Sequence, residues 1–130
     1  MRWWNARNAR RPEDRGAAAV EFALVLPIAL LVIFAIIDFG RMLNAQITLT
    51  EAARESARAA ALVGDSAAQD RFNSIAGPLG GTASIVACSP GSADSDATVD
   101  ASIDFQFVTP LAVIVGSRTL DAHSEMSCVH

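Results

Sequence analysis

Lysine is absent from this chain of 130 residues, and histidine and cysteine occur only twice each. All ten basic residues are arginines, and half of them lie in the first 16 residues. Beyond that leader, five arginines stand against twelve acidic residues, so the sequence lacks the basic surface by which proteins bind nucleic acid. We therefore expect no nucleic-acid partner.

The patterns of a catalytic or metal site are also missing from the sequence. It has no Ser/His/Asp spacing and no glycine-rich phosphate loop, and neither His123 nor His130 has a second ligand at metal-site spacing. Four aspartates could suggest calcium, but the glycine and terminal glutamate of an EF-hand loop are missing. These are Asp94, Asp96, Asp100 and Asp104. We expect no metal, no cofactor and no enzymatic activity.

A long apolar run follows the basic leader. Ala17 to Ile37 has 21 residues, of which thirteen are Val, Leu, Ile or Phe, and a membrane-spanning helix needs ~20. These thirteen residues lower the free energy of membrane insertion by roughly 4–8 kcal/mol, which exceeds the increase of about 3 kcal/mol that one central acid would cause. Pro27 can kink this helix. The arginines of the leader predict a cytoplasmic N-terminus, with the chain beyond Asp38 outside the membrane.

The acid in this run is Glu21, and an ionisable residue inside a membrane is expensive enough to suggest a function. Cleavage between Gly16 and Ala17 would expose an α-amine, with which Glu21 of a neighbouring subunit could pair. A plain signal-anchor helix remains an alternative. A secretory signal peptide is disfavoured, because the run exceeds the usual 7–15 residues and no small-residue cleavage site follows it.

The segment from Arg15 to Ala61 resembles the TadE-like family of pilus-associated pseudopilins. The motifs that carry the resemblance are Arg15-Gly16, Val20-Glu21-Phe22-Ala23, Leu26-Pro27, Asp38-Phe39-Gly40-Arg41 and Glu51-Ala52-Ala53-Arg54 with Ala57-Arg58. The resemblance implies a component of the tight-adherence (Tad, or Flp) pilus machinery. It also implies that a prepilin peptidase cleaves after Gly16, and that Glu21 with Phe22 serves recognition or assembly. The chain resembles the short TadE or TadF members, between which its sequence does not decide.

The first helix is predicted to continue beyond the membrane. No Gly or Pro occurs from Arg41 to Val63, and Gly64 is a typical end signal. Asp65 or Ser66 can cap a second, short helix that reaches about Ala76. One face of the continued helix carries a mild apolar stripe, made of Met42, Ala45, Leu49, Ala52, Ala53, Ser56 and Ala60.

Three strands are predicted in the remaining sequence. Thr98 to Val108 alternates strictly between apolar and polar residues, Thr119 to Val129 does so more weakly, and Ala83 to Cys88 is a short candidate. Leu111 to Val115 fits a strand, a short helix or a loop pressed on the membrane. The predicted fold class is α+β: a long N-terminal helix packed by a short helix and a small antiparallel sheet.

Four regions follow: a cytoplasmic leader (1–16), a transmembrane helix (17–38), its exported continuation (39–63) and a small exported domain (64–130). Cys88 and Cys128 both lie in the exported region, where oxidising conditions favour a disulfide over two buried thiols. In the chain-entropy model the bridge would stabilise so small a domain by roughly 4 kcal/mol.

The resemblance thus implies a minor pseudopilin, an assembly or priming subunit of a Tad-type pilus, and the apolar run predicts that one helix anchors it in the inner membrane. Its expected partners are a prepilin peptidase, other pilus or pseudopilus subunits, the pilus assembly machinery and membrane lipid. One alternative is an unprocessed single-pass adaptor whose exported domain recruits an envelope partner. The other is a membrane-tethered ligand-binding or enzymatic domain.

Overall fold

The computed structural model describes residues 12–89, 95–110 and 112–128, with only the backbone for 12–15. Its elements are α1 (Pro12–Leu62), α2 (Asp65–Ala76), a 3-10 turn (Gly77–Leu79), β1 (Thr82–Val86), β2 (Asp96–Phe105), α3 (Ala112–Val115) and β3 (Arg118–Ser127). A long N-terminal helix, a shorter helix and a three-stranded antiparallel sheet make the fold α+β, as predicted.

α1 is one helix of 51 residues, and it continues through Pro27. It begins at Pro12, earlier than the predicted start at Ala17. Proline suits the start of a helix because an N–H at that position would have no intrahelical partner. The helix ends at Leu62 because Gly64 follows with φ 120°, a left-handed conformation that residues with a side chain rarely adopt.

α2 packs against the second half of α1 and buries Ala68, Phe72 and Ala76. The prediction that Asp65 or Ser66 caps this helix is wrong. Gly64 occupies the N-cap position, and among the described residues no side chain makes a capping hydrogen bond to the first turn. The turn from α1 into α2 needs the backbone freedom of glycine. Because glycine has no side chain, the N-cap residue cannot bond to the amides of the first turn of α2.

β2 is the central strand of the sheet and pairs antiparallel with β1 and with β3. The predicted alternation is confirmed from Val99 to Phe105, and Phe107 is half-buried beyond the end of the strand. The buried residues of the strand are Ala97, Val99, Ala101, Ile103 and Phe105. The strand starts two residues before Thr98 and ends three residues before Val108. It ends early because the opposite strand cannot continue: Arg118 pairs with Phe105, and Gly116 turns the chain away with φ 71°.

The core lies between the sheet and the second half of α1. All residues of the predicted apolar stripe are buried except the half-buried Met42. Leu49 and Phe72 from the helices and Val99 from β2 are its largest fully buried apolar side chains. The alanines of α1 let the helix approach the sheet closely, so the core is thin and holds few large residues.

α3 resolves the segment for which the sequence left three conformations open. It is a single helical turn, preceded by a turn in which the Ala112 amide donates to the Thr109 carbonyl at 2.9 Å. The Gly116 amide donates to the Ala112 carbonyl at 3.0 Å, and this hydrogen bond closes the turn. Leu111 lies outside the described residues.

Cys88 and Cys128 form the predicted disulfide, with 5.9 Å between their Cα atoms. The bridge joins the chain that follows β1 to the end of β3. Ser95 Oγ donates to Cys128 Sγ at 3.7 Å just before β2 begins. All three strands are therefore tied together at this end of the sheet.

Candidate functional site

The first half of α1 presents an uncovered apolar surface. Residues 16–37 are exposed except for the half-buried Phe34 and Ala35. Val20, Phe22 and Leu24 keep 63–69% of their accessible surface. An apolar surface of this extent needs a cover, and its length suits the hydrocarbon core of a bilayer or the helices of neighbouring subunits. Residues 16–37 are called the apolar segment below.

Glu21 is exposed on this surface. It forms no hydrogen bond or ion pair with any residue that the structure describes. Ala17 precedes it by four residues, one helical turn, so both lie on the same face of α1. The carboxylate is therefore free to meet a charge from outside the chain.

Gly16, Ala17 and Phe22 are also exposed on α1. A Cβ placed on Gly16 would meet no other atom within 4 Å. The chain at this position needs glycine neither for space nor for backbone conformation. The fold thus gives no structural reason for Gly16, and the predicted cleavage site lies inside a helix rather than at its start.

Asp38 occupies the junction between the apolar segment and the rest of the chain, and only 1% of it is exposed. Its Oδ1 accepts a hydrogen bond from the Val108 amide, and its Oδ2 accepts one from the Thr109 amide, both at 3.4 Å. Thr109 Oγ1 also donates to Oδ2. Arg41 Nη1 donates to Oδ1 at 3.4 Å and supplies the opposite charge. One carboxylate thereby holds the loop after β2 against α1.

Arg41 also has a second contact that fixes its position. Its guanidinium lies 5.5 Å from the centre of the Phe105 ring, a cation–π distance. Phe105 in turn meets Phe107 edge to face, with ring centres 5.4 Å apart. The sequence contains one signal for this cluster, the three-residue spacing of Asp38 and Arg41. The sequence places Asp38 at the membrane boundary and both residues in a family motif, but it does not predict the contact of Asp38 with the loop after β2.

A groove of about 780 Å³ opens beside Asp38, between α1 and the end of the sheet. Its walls are mostly apolar and include Val32 and Ile36 of α1 together with Phe107, Val115 and Leu120. Arg118 also lines the groove. The groove continues the exposed surface of the apolar segment onto the sheet.

His123 lies on the solvent face of β3 between two acids. Its Nδ1 is 2.6 Å from Asp100 and its Nε2 is 3.0 Å from Glu125. The hydrogen bond to Glu125, followed in size by the hydrogen bond to Asp100, raises the pKa of His123.

Within 12–89, 95–110 and 112–128, no three His, Cys, Asp or Glu side chains lie close enough to share a metal ion. Asp94 and His130 lie outside these ranges.

α1 is the one helix in the described part of the chain that is long and apolar enough to cross a membrane. Its most apolar window of 18 residues has a mean hydropathy of 2.9, and none of that window is buried. The architecture is consistent with a single-pass membrane protein that carries a small sheet beside one half of its helix.

The family model of the TadE-like proteins matches residues 16–58 of this chain. The match confirms the resemblance found in the sequence and suggests a subunit related to the Tad pilus. It covers Gly16, Glu21 and Asp38 but neither α2 nor the sheet. No curated protein and no solved structure matches the chain.

Proposed function

We propose that the chain is a minor pseudopilin that acts as an assembly or priming subunit of a Tad-type pilus. A prepilin peptidase removes residues 1–16, and the mature subunit begins at Ala17. The observation that carries the proposal is the family match over residues 16–58, which begins at the proposed cleavage site. The role is structural and requires no catalytic group.

The environment of Glu21 supports this role. Glu21 has no hydrogen bond or ion pair among the described residues, and an acid on an exposed apolar helix is unfavourable in lipid, so it gains most from meeting a cation. The α-amine of Ala17 on a neighbouring mature subunit would supply that cation. Pairing would therefore couple removal of the leader to packing of the apolar segments.

The arginines of the leader support an orientation with the N-terminus in the cytoplasm and the sheet outside the membrane. A disulfide between Cys88 and Cys128 agrees with an oxidising compartment on that side. The proposed partners are the prepilin peptidase, other pilus or pseudopilus subunits, the assembly machinery and lipid of the inner membrane.

Processing is tested by replacing Gly16. We expect Gly16→Leu to abolish maturation while leaving membrane insertion intact, because a side chain at this position hinders entry of the backbone into a peptidase site. Intact mass and N-terminal sequencing of the membrane-extracted protein measure the result. Wild-type protein from cells with an active prepilin peptidase should begin at Ala17, and the variant at Met1.

Gly40→Leu is the matched control. Gly40 also lies inside α1, and a Cβ there meets nothing within 4 Å. The control should be processed as the wild type is, since it makes the same change 24 residues away. Wild-type protein that still begins at Met1 would contradict the proposal and favour an unprocessed single-pass adaptor.

Pairing of Glu21 is tested by Glu21→Gln, which retains the size of the side chain and removes its charge. We expect insertion to be unchanged or slightly improved, because the cost of an acid in lipid disappears. Pilus formation and cross-linking between subunits should fall strongly. Glu55→Gln, at an exposed glutamate on the second half of α1, should leave both at the wild-type level. Normal pili in the Glu21 variant would argue against the pairing.

A further inference from the structure

The turn around α3 exposes apolar side chains to an unusual degree. Val113 is 90% exposed, Ile114 80% and Val108 75%. Val113 and Ile114 are adjacent on the single turn of α3, and Val108 lies just before the turn that leads into it. These three residues are called the apolar tip.

Two observations fix the level of the apolar tip along α1. Asp38 accepts the amides of Val108 and Thr109, so the tip begins beside the last residue of the predicted span. Val115, at the end of α3, lines a groove together with Val32. Val32 precedes Asp38 by six residues, which is about 9 Å along a helix. The α3 end of the tip therefore lies beside the last turns of the apolar segment, while Val108 lies beside Asp38 and also lines a groove with Arg41.

The length of the apolar segment places this level at the membrane surface. From Ala17 to Asp38 the helix rises about 32 Å at ~1.5 Å per residue, against about 30 Å for the hydrocarbon core of a bilayer. A helix that begins its span at Ala17 thus leaves the hydrocarbon close to Asp38. The apolar tip then lies at the boundary between acyl chains and headgroups.

Two arginines lie at the same level. Arg41 is one turn beyond Asp38, and its side chain remains 48% exposed. Arg118 lines the groove beside Asp38 and is the register partner of Phe105, over which Arg41 stacks. Arginine binds phosphate oxygens through two parallel hydrogen bonds, so these side chains suit the phosphate groups of lipid.

We propose that the apolar tip inserts into the membrane leaflet from which α1 emerges, and that Arg41 and Arg118 bind the lipid phosphates around it. The partner is lipid because the groove beside α3 adjoins the apolar segment, whose length matches the hydrocarbon core of a bilayer. Arginines beside exposed aliphatic side chains also complement an interface of acyl chains and phosphates. Insertion gives the chain a second membrane contact and holds the sheet close to the bilayer.

The test uses the full chain with Trp3→Phe and Trp4→Phe, so that a single introduced tryptophan reports its surroundings. Ile114→Trp places the reporter on the apolar tip, where 80% exposure leaves room for it. Val63→Trp is the control, at a site that is 76% exposed near the far end of α1. Both proteins are reconstituted in phosphatidylcholine and phosphatidylglycerol vesicles, with and without brominated acyl chains.

We expect the tryptophan at 114 to emit at shorter wavelength than the control and to lose most of its emission to brominated lipid. The tryptophan at 63 should emit as in water and keep its emission. Adding Arg118→Gln to the Ile114→Trp protein should weaken quenching in vesicles that contain phosphatidylglycerol. These measurements require neither cleavage nor pili, so they are independent of the proposed function.

Two results would overturn the proposal. One is emission from position 114 that is as water-like and unquenched as emission from position 63. The other is blue-shifted emission that brominated lipid does not quench, because it would mean that the tip packs against protein. In that case a second copy of the chain is the first occupant to examine, by diluting the protein in lipid.

Discussion

Removing the Cys88–Cys128 disulfide should lower the free energy of unfolding of the sheet region by about 2–5 kcal/mol. The bridge spans a sequence separation of 40. Opening it releases β2, β3 and their connections from one closed loop, which increases the conformational entropy of the unfolded chain. For a loop of this length the chain-entropy model gives about 4 kcal/mol.

The expected loss is large because the core cannot compensate for it. Most side chains that α1 contributes to the core are alanines, each of which buries little apolar area. Without the bridge, the end of β3 keeps its pairing with β2, and the chain that follows β1 keeps its packing against a small cluster of buried alanines. We expect this end of the sheet to open first.

Hydrogen exchange of the β2 amides in lipid nanodiscs measures the effect. The double variant Cys88→Ala/Cys128→Ala should exchange much faster than the wild type, and reduced wild type should resemble the variant. Ser84→Ala, at an exposed serine of β1, is the control and should exchange as the wild type does. Equal protection with and without the bridge would refute the prediction, as would two free thiols titrated in protein purified without reductant.

Asp38→Asn should detach the loop after β2 from α1 and destabilise the fold by about 2–4 kcal/mol, because hydrogen bonds to a charged group are worth ~1.5–3 kcal/mol each. Both carboxylate oxygens of Asp38 accept backbone amides. Asparagine has one carbonyl oxygen, so its NH2 group would face either the Val108 or the Thr109 amide. It also leaves Arg41 without its opposite charge.

The amides of Val108 and Thr109 report this change directly through hydrogen exchange. Both should lose protection in Asp38→Asn, while amides in the middle of β2 change less. Asp104→Asn is the matched control, since Asp104 is an exposed aspartate that accepts one hydrogen bond, from Thr119 Oγ1 at 3.0 Å. It should change stability by no more than about 0.5 kcal/mol. Unchanged protection of Val108 and Thr109 in Asp38→Asn would show that the carboxylate does not hold the loop.

The elements of the fold were predictable where the sequence has a clear period. The alternation of β2 and the apolar stripe on α1 both identify buried faces, and the structure confirms them. The ends of elements were predicted less well. β2 stops at Phe105 rather than Val108, because β3 begins at its partner Arg118 and the amides of Val108 and Thr109 bond to Asp38 instead.

The predicted site residues and the cluster at Asp38 differ in how visible they are in a sequence. Glu21 stands out because it interrupts an apolar run, and no folding of the chain is needed to notice it. Asp38 lies at the end of that run, where an acid is expected in contact with water. Its partners Val108 and Thr109 lie 70 and 71 residues away, and no local pattern connects them to it.

The sequence alone determined the long apolar helix, the acid within it, the α+β class and the two cysteines that pair. The cysteine pair was predicted from the oxidising compartment, and the other features follow from local composition, since hydrophobic length, charge placement and strand period act over a few neighbouring residues. Tertiary structure alone decided that Asp38 is buried, that α3 is a helical turn beside the apolar segment, and that a groove joins the two. Those features depend on contacts between distant parts of the chain, which form only when α1 and the sheet pack together and bury the groups between them.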